Sequence, residues 1–413
     1  MKTATPTILT LLVSAATSGQ AAPTCEPHPL RMQDGAPVTS ASQWFDQRRP
    51  EVLELFRAEV YGRTPADKRA RVEHITSTDA LDGAATRKQW DLRYGADRDA
   101  AVRVLAYLPK TRQGPAPVFV ALNFQGNHTV SPDPGVRVAT CWVRNNKALG
   151  VDANRATEAG RGGVAGRWPV DQIIARGYGL VTACYGDLDP DFDDGFTNGV
   201  HAAVDGDGER RDESWGAIGA WAWGLSRILD SLEADADFDA TRAAVLGHSR
   251  LGKTALWAGA QDQRFWMVIS NNSGCGGAAC SRRRQGETVA VINKNFPHWF
   301  CKRFHGYADR EDALPVDQHL LLALCAPRPV YVASAQLDSW ADPDGEFLSA
   351  RGADAVYRLV CGDGLPAEEM PALDQPAHGR IGYHVRTGKH DLTPADWEHY
   401  LDFADLHRDT PPR

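Results

Sequence analysis

The chain has 413 residues, of which 43% are hydrophobic, and its formal net charge is −8. This length and apolar content are sufficient to bury a large core in one or two domains. The negative charge argues against nucleic acid or an anionic membrane as a partner. After the first residues, no apolar stretch is long enough to span a bilayer. We therefore expect partners that are neither nucleic acids nor membranes.

Residues 1–22 have the pattern of a signal peptide. Lys2 supplies the charged start, an apolar segment covers residues 8–16, and small residues near Ala22 permit cleavage. A disordered start is the alternative interpretation. Cleavage would accompany export, so we expect a secreted or periplasmic protein.

Export would place the eight cysteines in an oxidising compartment, where disulfides form. Their pairing does not follow from the sequence, and their spacing matches no zinc motif, so we expect no bound metal. The cysteines are Cys25, Cys141, Cys184, Cys275, Cys280, Cys301, Cys325 and Cys361.

Residues 23–413 are predicted to form a single α/β domain, because no low-complexity linker interrupts them. An N-terminal arm over about residues 23–60 is expected to be extended to about Arg49 and to include a surface helix at 44–61. Beyond it, strand patterns alternate with helical patterns, which is typical of a doubly wound, mainly parallel sheet in a three-layer sandwich. Strands are predicted at 87–94, 102–108, 118–124, 179–184, 243–247, 267–272, 330–335 and 380–386, with a turn at 95–98 and helices at 168–176 and 215–232.

Two segments lack this regular pattern. Residues 136–166 are rich in Gly and Arg and nearly aperiodic, so we interpret them as an insertion above the edge of the sheet. Residues 187–195 are strongly acidic, which raises the alternative of bound calcium. They lack the spaced ligands and closing Glu of a calcium loop, and we interpret them as a solvated loop.

A strand pattern ends at Gly247, and a helical pattern begins directly after Ser249. A serine at such a reversal projects its Oγ from the carboxyl edge of the sheet, and the helix that follows directs its free N–H groups to the same point. These are the nucleophile and the oxyanion site that acyl transfer needs. The usual motif is Gly-x-Ser-x-Gly, but here Leu251 takes the second glycine position and Gly252 follows it. The elbow and the alternating elements together predict an α/β-hydrolase fold.

The acid of an α/β-hydrolase follows its nucleophile along the chain. Asp338 lies in the loop after the strand at 330–335 and is the predicted acid. Asp342 and Asp344 are nearby alternatives, and Asp342, which precedes a proline, is more typical of a turn.

The base comes last in the same order. His390 lies in a loop after the final strand and is the predicted base, whereas His384 lies within that strand and is expected to be packed. Ser249, Asp338 and His390 would cleave an ester through an acyl-enzyme, without a metal or an organic cofactor.

The segment Gly-His-Ser-Arg-Leu-Gly-Lys at 247–253 resembles the signature of the glucuronoyl esterases, carbohydrate esterase family 15, in their bacterial form. These enzymes cleave esters between glucuronic acid of xylan and alcohols of lignin. The resemblance extends over most of the chain. Further matching stretches are 123–129, 176–179, 273–278, 286–288, 338–347 and 388–390.

The resemblance implies roles for four further residues. In this family the Arg after the nucleophile helps to hold the oxyanion, which here is Arg250. The loop at 125–129 follows a buried strand, where an α/β-hydrolase loop borders the oxyanion hole, and a simple β-to-α turn is the alternative interpretation. The sugar-binding Lys corresponds to Lys253, the acidic sugar ligand to Glu287 and the sugar-contacting Trp to Trp340. Sugar hydroxyls favour charged hydrogen-bond partners, and pyranose rings favour an aromatic face. Considered alone, Arg250 would be interpreted as part of a surface ion pair, Glu287 as a surface charge and Trp340 as a core aromatic.

One position departs from the fungal members, which take their acid from a Glu just before a Ser-Gly. Asn272 occupies that position here. A neutral amide cannot stabilise an imidazolium as a carboxylate does, so the acid must come from elsewhere. Some bacterial members carry an Asp after the later strand, and Asp338 matches it.

We therefore expect a serine-type esterase that needs no cofactor and that acts, as a monomer, on glucuronic acid esters of xylan and lignin-carbohydrate material. The first alternative is a secreted acetyl-xylan or general carboxylesterase with the same fold. Lys253, Glu287 and Trp340 argue against it, because a pocket for acetate needs no such set. A non-catalytic carbohydrate-binding protein is the remote alternative.

Overall fold

The computed structural model describes residues 25–65, 70–94, 101–205 and 209–409. The expected signal peptide and the turn at 95–98 lie outside this part of the chain. Within it, ten strands form one sheet in the order β1-β2-β3-β5-β4-β6-β7-β8-β10-β9. The strands are Arg71–Ala80 (β1), Ala85–Arg93 (β2), Ala101–Pro109 (β3), Ala116–Asn123 (β4), Gly179–Cys184 (β5), Phe238–His248 (β6), Met267–Asn271 (β7), Val330–Ala335 (β8), Ala377–His378 (β9) and Ile381–Arg386 (β10).

The centre of the sheet is parallel. Strands β5, β4, β6, β7, β8 and β10 are parallel neighbours, whereas β1 to β3 and β9 pair antiparallel at the two edges. Every residue of β4 is buried. Val118 and Val120 pack into the larger apolar core on one face, and Phe119 and Ala121 pack into the smaller core on the other. A strand buried on both faces explains why its sequence is a continuous apolar run.

Helices cover both faces of the sheet. Side chains of α6, α7, α9 and α10 pack into the larger core, and those of α3 and α11 pack into the smaller one. The prediction of an α/β-hydrolase fold with three layers is therefore confirmed. The helices are Ala41–Gln43 (α1), Arg49–Phe56 (α2), Val170–Ala175 (α3), Tyr185–Leu188 (α4), Gly199–Val204 (α5), Ala217–Glu233 (α6), Arg250–Gln261 (α7), Val289–Asn295 (α8), Gln318–Ala323 (α9), Pro343–Cys361 (α10) and Pro394–His407 (α11).

None of the helices in the described ranges is long and apolar enough to cross a membrane.

The N-terminal arm becomes helical earlier than expected. Ser40 accepts a hydrogen bond from the Gln43 N–H at 3.2 Å, and a continuous helical run extends from α1 through two π-helical segments to Tyr61. The predicted helix at 44–61 is confirmed. The extended arm predicted to about Arg49 is wrong beyond Ser40, because a serine cap satisfies the first free N–H groups and starts the helix there.

Two further segments differ from expectation. Strand β1 was not predicted, because it is an edge strand whose side chains are almost all exposed and which therefore lacks an alternating apolar pattern. The acidic segment at 187–195 was predicted to be solvated, which is wrong for its first half. Asp187, Asp189 and Asp191 are buried.

Remote partners explain this burial. The backbone N–H and side chain of Arg103 both donate to Asp187, at 3.1 and 3.0 Å. Burial nevertheless has the largest influence on the Asp187 carboxyl, and it raises the pKa of that group to about 6. Partners that lie some eighty residues away leave no trace in local composition.

Candidate active site

The Ser249 elbow joins β6 to α7. Ser249 has φ 58° and ψ −129°, and its N–H donates to the Asn271 carbonyl oxygen at 2.9 Å. A Cβ on Gly247 would lie 1.8 Å from the Leu251 carbonyl oxygen, so only glycine fits there. A Cβ on Gly252 would lie 2.9 Å from the Ser273 Cβ, which explains a glycine one residue later than in the usual motif. The predicted strand–serine–helix reversal is present.

His390 and Asp338 meet beside this elbow. His390 Nδ1 lies 2.6 Å from Asp338 Oδ2, and the carboxylate is almost fully buried while the imidazole is partly exposed. Because an ionised carboxylate only accepts, Nδ1 carries the proton. This leaves Nε2 as the basic nitrogen. Ser249 and His390 line the same cavity.

The alternative acids and base lie in other interactions. Asp342 accepts from Arg283 Nε at 2.7 Å and precedes the first residue of α10, and Asp344 is largely exposed. His384 is fully buried within β10, with its Nε2 2.9 Å from Asp396 Oδ1. His384 is thus packed, as expected.

Asn272 supports Asp338 rather than replacing it. Its Nδ2 donates to Asp338 Oδ2 at 3.0 Å, the oxygen that also accepts from His390. The loop behind it is held by the buried Glu346, which accepts from the N–H groups of Ser273 and Gly274 at 2.7 and 3.0 Å. Burial raises the pKa of Glu346 to about 7. Asn272, which occupies the fungal acid position, therefore contacts the same Asp338 oxygen as His390 does.

A cavity of about 290 Å³ opens in front of Ser249. Six of the seven predicted site residues line it, and the seventh, Asp338, lies behind His390. The lining residues are Ser249, Arg250, Lys253, Asn272, Ser273, Gly274, Glu287, Asn295, Phe296, Trp299, Trp340, Ala341 and His390.

Arg250 is held by a buried carboxylate. Its Nη1 donates to Asp191 Oδ2, and its guanidinium lies over the Trp299 ring at 4.6 Å from the centroid. Asp191 Oδ1 is 3.0 Å from His298 Nε2 and accepts from Trp299 Nε1 at 2.8 Å. Burial alone would raise the pKa of Asp191, but the His298 hydrogen bond and the Arg250 charge together hold it below its ordinary value. Arg250 is therefore not a surface ion pair, because its partner is fully buried.

Lys253 and Glu287 form a second buried pair. Lys253 Nζ donates to the carbonyl oxygens of Ser273 and Cys275, both at 2.6 Å, and to Glu287 Oε2 at 2.8 Å. An ammonium has three protons, so its donors are all engaged by the protein. Trp340 is 49% exposed at the cavity mouth, and its carbonyl oxygen accepts from the Glu287 N–H at 2.9 Å. Glu287 is not a surface charge, and Trp340 is not a core aromatic.

Several site residues escaped the sequence analysis. Asp191 follows the carboxyl end of β5, where side chains of a doubly wound sheet border the site, and this placement could have identified it. His298 and Trp299 come from a segment without a recognisable pattern. His248 lies with its ring centroid 4.6 Å from that of His390, and burial, followed by the charge of His390, lowers its pKa. The buried His248 ring thus packs against the predicted base.

Comparison with known proteins agrees with this geometry. Residues 210–361 match the family model described as glucuronyl esterase of fungi. The chain is 52% identical to Carbohydrate esterase MZ0003 of an unknown prokaryotic organism, over 92% of this chain and 89% of that protein. A promiscuous family 15 carbohydrate esterase from a marine bacterial metagenome is 51% identical, with a TM-score of 0.87 and coverage of 94% of this chain and 98% of that one. For the glucuronoyl esterase of Solibacter usitatus the identity is 46% and the TM-score 0.86, over 92% and 97% of the two chains.

The nucleophile elbow, the histidine–carboxylate pair and the similarity over almost the whole length lead to one conclusion. The chain belongs to the glucuronoyl esterases of carbohydrate esterase family 15, and it is a carboxylic ester hydrolase.

Proposed function

We propose that this enzyme cleaves esters between glucuronic acid, with or without a 4-O-methyl group, and the alcohols of lignin in lignin-carbohydrate material. The observation that carries the proposal is one cavity that joins Ser249 to the buried Lys253–Glu287 pair. An acetyl group has no hydroxyls for such a pair to bind. The glucuronoyl esterase similarity supports the same acyl part.

The proposed reaction starts at Ser249. His390 Nε2 takes the Oγ proton as Oγ attacks the ester carbonyl carbon, and Asp338 stabilises the imidazolium that forms. The tetrahedral intermediate collapses when His390 returns the proton to the leaving alcohol oxygen. His390 then deprotonates a water molecule, which attacks the glucuronoyl–Ser249 ester. As the acyl–Oγ bond breaks, His390 returns this proton to Ser249 Oγ and the acid is released.

Arg250 is proposed to stabilise the oxyanion. It begins α7, so its backbone N–H and its guanidinium both lie beside the nucleophile. Asp191 fixes the guanidinium before substrate arrives. Donors that are already oriented stabilise developing charge without the cost of reorganisation in the transition state.

Glu287 and Trp340 are proposed to bind the sugar. Lys253 is fully hydrogen-bonded to the protein, so its first role is to hold the Glu287 carboxylate in the cavity. A charged acceptor aimed at a sugar hydroxyl stabilises binding more than a neutral one. The half-exposed Trp340 ring at the mouth offers an apolar face to the pyranose.

The alcohol portion is proposed to leave toward the insertion at 136–166. A second cavity of about 390 Å³ lies there, between the insertion and the residues that follow His390. Gln125 lines it, together with Arg167 and Asp391, which form an ion pair of 2.7 Å. Its polar lining and its position next to the base suit a hydroxyl-bearing leaving group.

Export through a signal peptide at 1–22 and action as a monomer belong to the same proposal. A polymeric substrate such as glucuronoxylan cannot enter a cell, so its esterase must act outside the cytoplasm. A cofactor, a nucleic acid and a membrane have no part in the proposed chemistry.

A general carboxylesterase remains a second candidate, because the marine relative with 51% identity is described as promiscuous. A shared triad would cleave small esters as well. The two candidates differ in the use that they make of Glu287, because an acetyl group has no hydroxyl for this carboxylate to bind.

The first prediction separates these two candidates. The parent enzyme should have a much higher kcat/KM on benzyl glucuronate than on 4-nitrophenyl acetate. Glu287→Gln should lower kcat/KM on the glucuronate by about 10- to 100-fold, since a hydrogen bond to a charged group contributes roughly 1.5–3 kcal/mol. Activity on the acetate is the internal control and should change by less than about 3-fold, with both proteins assayed well below the Tm of the variant, which loses one partner of a buried ion pair. An equal loss on both substrates would favour the general carboxylesterase.

The second prediction concerns the acid. Asp338→Asn should lower kcat by about 10⁴, the scale found when the acid of a serine protease becomes an amide. Asp342→Asn is the matched control, because that carboxylate pairs with Arg283, and it should retain activity. Since Asn272 already contacts the Asp338 oxygen, adding Asn272→Glu to Asp338→Asn should restore part of the loss. Asp338→Asn activity within a few-fold of the parent would exclude Asp338 as the acid.

The third prediction concerns the carboxylate behind Arg250. Asp191→Asn should lower kcat by about 10-fold or more, short of the 10²–10³ lost when an oxyanion donor is removed. KM should change little, and the double variant with Arg250→Ala should be no slower than Arg250→Ala alone, because both changes affect one interaction. Asp187→Asn is the control, since that buried acid pairs with Arg103 instead. Multiplicative losses in the double variant would show that Asp191 acts independently of Arg250.

A further inference from the structure

A second cluster of reactive side chains lies where the N-terminal arm crosses the domain. The Cys25 and Cys280 sulfur atoms are 3.4 Å apart, although the residues are 255 positions apart in sequence. Cys280 is buried and Cys25 is half-buried. His319 completes the cluster, whose ligand-type atoms all lie within 4.8 Å of one another.

The Cys25 side chain packs closely against α10. Its sulfur lies 3.3 Å from the Leu348 carbonyl oxygen of α10. A Cβ on Gly352, one turn further along α10, would lie 3.1 Å from both the Cβ and the sulfur of Cys25. The Cys280 sulfur also contacts Ser349 Oγ at 3.1 Å. Glycine at 352 therefore leaves the space in which the two cysteines meet.

The arm reaches this position through several further contacts. Arg282 Nη1 donates to the Glu26 carbonyl oxygen, and His319 Nε2 donates to the Pro27 carbonyl oxygen at 2.9 Å. Arg48 Nε donates to the Pro29 carbonyl oxygen at 3.3 Å. The arm next to Cys25 is thus already bound to the domain before any covalent link exists.

His319 has the geometry of a base for the two thiols. Because Nε2 donates to a carbonyl, Nδ1 is the unprotonated nitrogen of the neutral ring. A nitrogen of this ring lies within 4.8 Å of both sulfur atoms, and Nδ1 is buried and has no hydrogen-bond partner. A thiol must lose its proton before it can attack a disulfide, and this nitrogen can accept it.

The same atoms could in principle hold a metal ion. A structural zinc site is closed by four protein ligands, whereas this cluster offers three among the described residues. Two cysteines in contact need no further ligand to form a disulfide. The donor set therefore favours the covalent link.

We propose that Cys25 and Cys280 form a disulfide that ties the N-terminal arm to the loop between β7 and α8. One thiol gives its proton to His319, and the thiolate attacks the disulfide of an external oxidant, which releases one thiol of that oxidant. The second cysteine attacks the mixed disulfide, forms the Cys25–Cys280 bond and releases the second thiol. Both electrons pass to the oxidant.

The link would stabilise the loop between β7 and α8, which forms part of the cavity wall. The loop between β7 and α8 carries Asn272 at one end and Glu287 near the other, and Cys280 lies between them. Cross-linking the arm at this loop restricts the unfolded chain over a very long closed loop, which stabilises the folded state. This role concerns the loop as a scaffold, so it is independent of the identity of the substrate.

Peptide mapping of the full chain tests the proposal. The protein is isolated from the periplasm of a bacterial host, or oxidised with glutathione disulfide, and its free thiols are alkylated under denaturing conditions. Mass spectrometry of the digest should find the Cys25 and Cys280 peptides linked, and dithiothreitol should separate them. Mapping is needed rather than a thiol count, because the thiols of Cys141 and Cys184 also interact.

Melting curves provide the second measurement. Reduction should lower the Tm of the parent by at least about 3 °C, given the stabilisation expected from a disulfide that closes a long loop. Cys25→Ser should respond clearly less to reduction. Cys361→Ser, which alters another half-buried thiol, should respond like the parent. Separate alkylated peptides after oxidation would overturn the proposal, as would stoichiometric zinc that is lost in Cys25→Ser.

Discussion

The backbone of Ser249 is the constraint on which the rest of the site depends. Its positive φ of 58° is compatible with the fold because Gly247 has no side chain where the chain passes the Leu251 carbonyl. The turn places Ser249, the proposed nucleophile, at the edge of the sheet and starts α7 immediately after it. Arg250 and Lys253 then fall on the first turn of this helix, and both line the cavity with Ser249. One backbone reversal thus positions the proposed nucleophile, the proposed oxyanion donor and the lysine that holds Glu287.

Buried ion pairs give this cavity its rigidity. Replacing a buried pair with apolar residues often leaves stability unchanged or improves it, so such pairs are poor evidence for a stabilising role. In this site Asp191 orients Arg250, and Lys253 orients Glu287, each within a network of further hydrogen bonds. Side chains fixed in this way cost little reorganisation when a substrate binds. The same desolvation explains why removal of one partner should be more damaging than removal of a surface charge.

The sequence was sufficient to predict the features that depend on a local pattern or on the order of residues along the chain. The apolar run of β4, the Ser249 elbow and the position of His390 after the last strand all depend on local pattern or on sequence order, and the structure has each of them. Asp191 was interpreted as solvated because its partners Arg250 and Trp299 lie far away in sequence. Contacts between distant segments determine the burial of Asp191, and no local sequence signal reports such contacts. For the same reason the approach of Cys25 to Cys280 was visible only in three dimensions.

The role of Ser249 is tested most directly by Ser249→Ala, with catalysis and binding measured on the same preparation. The proposed mechanism predicts a loss in kcat on benzyl glucuronate on the order of 10⁶, the scale found when the nucleophile of a complete triad is removed. Calorimetry with glucuronate esters should still detect binding with a Kd within a few-fold of the KM of the parent, because Lys253, Glu287 and Trp340 remain in place. Turnover within tenfold of the parent enzyme would contradict Ser249 as the nucleophile.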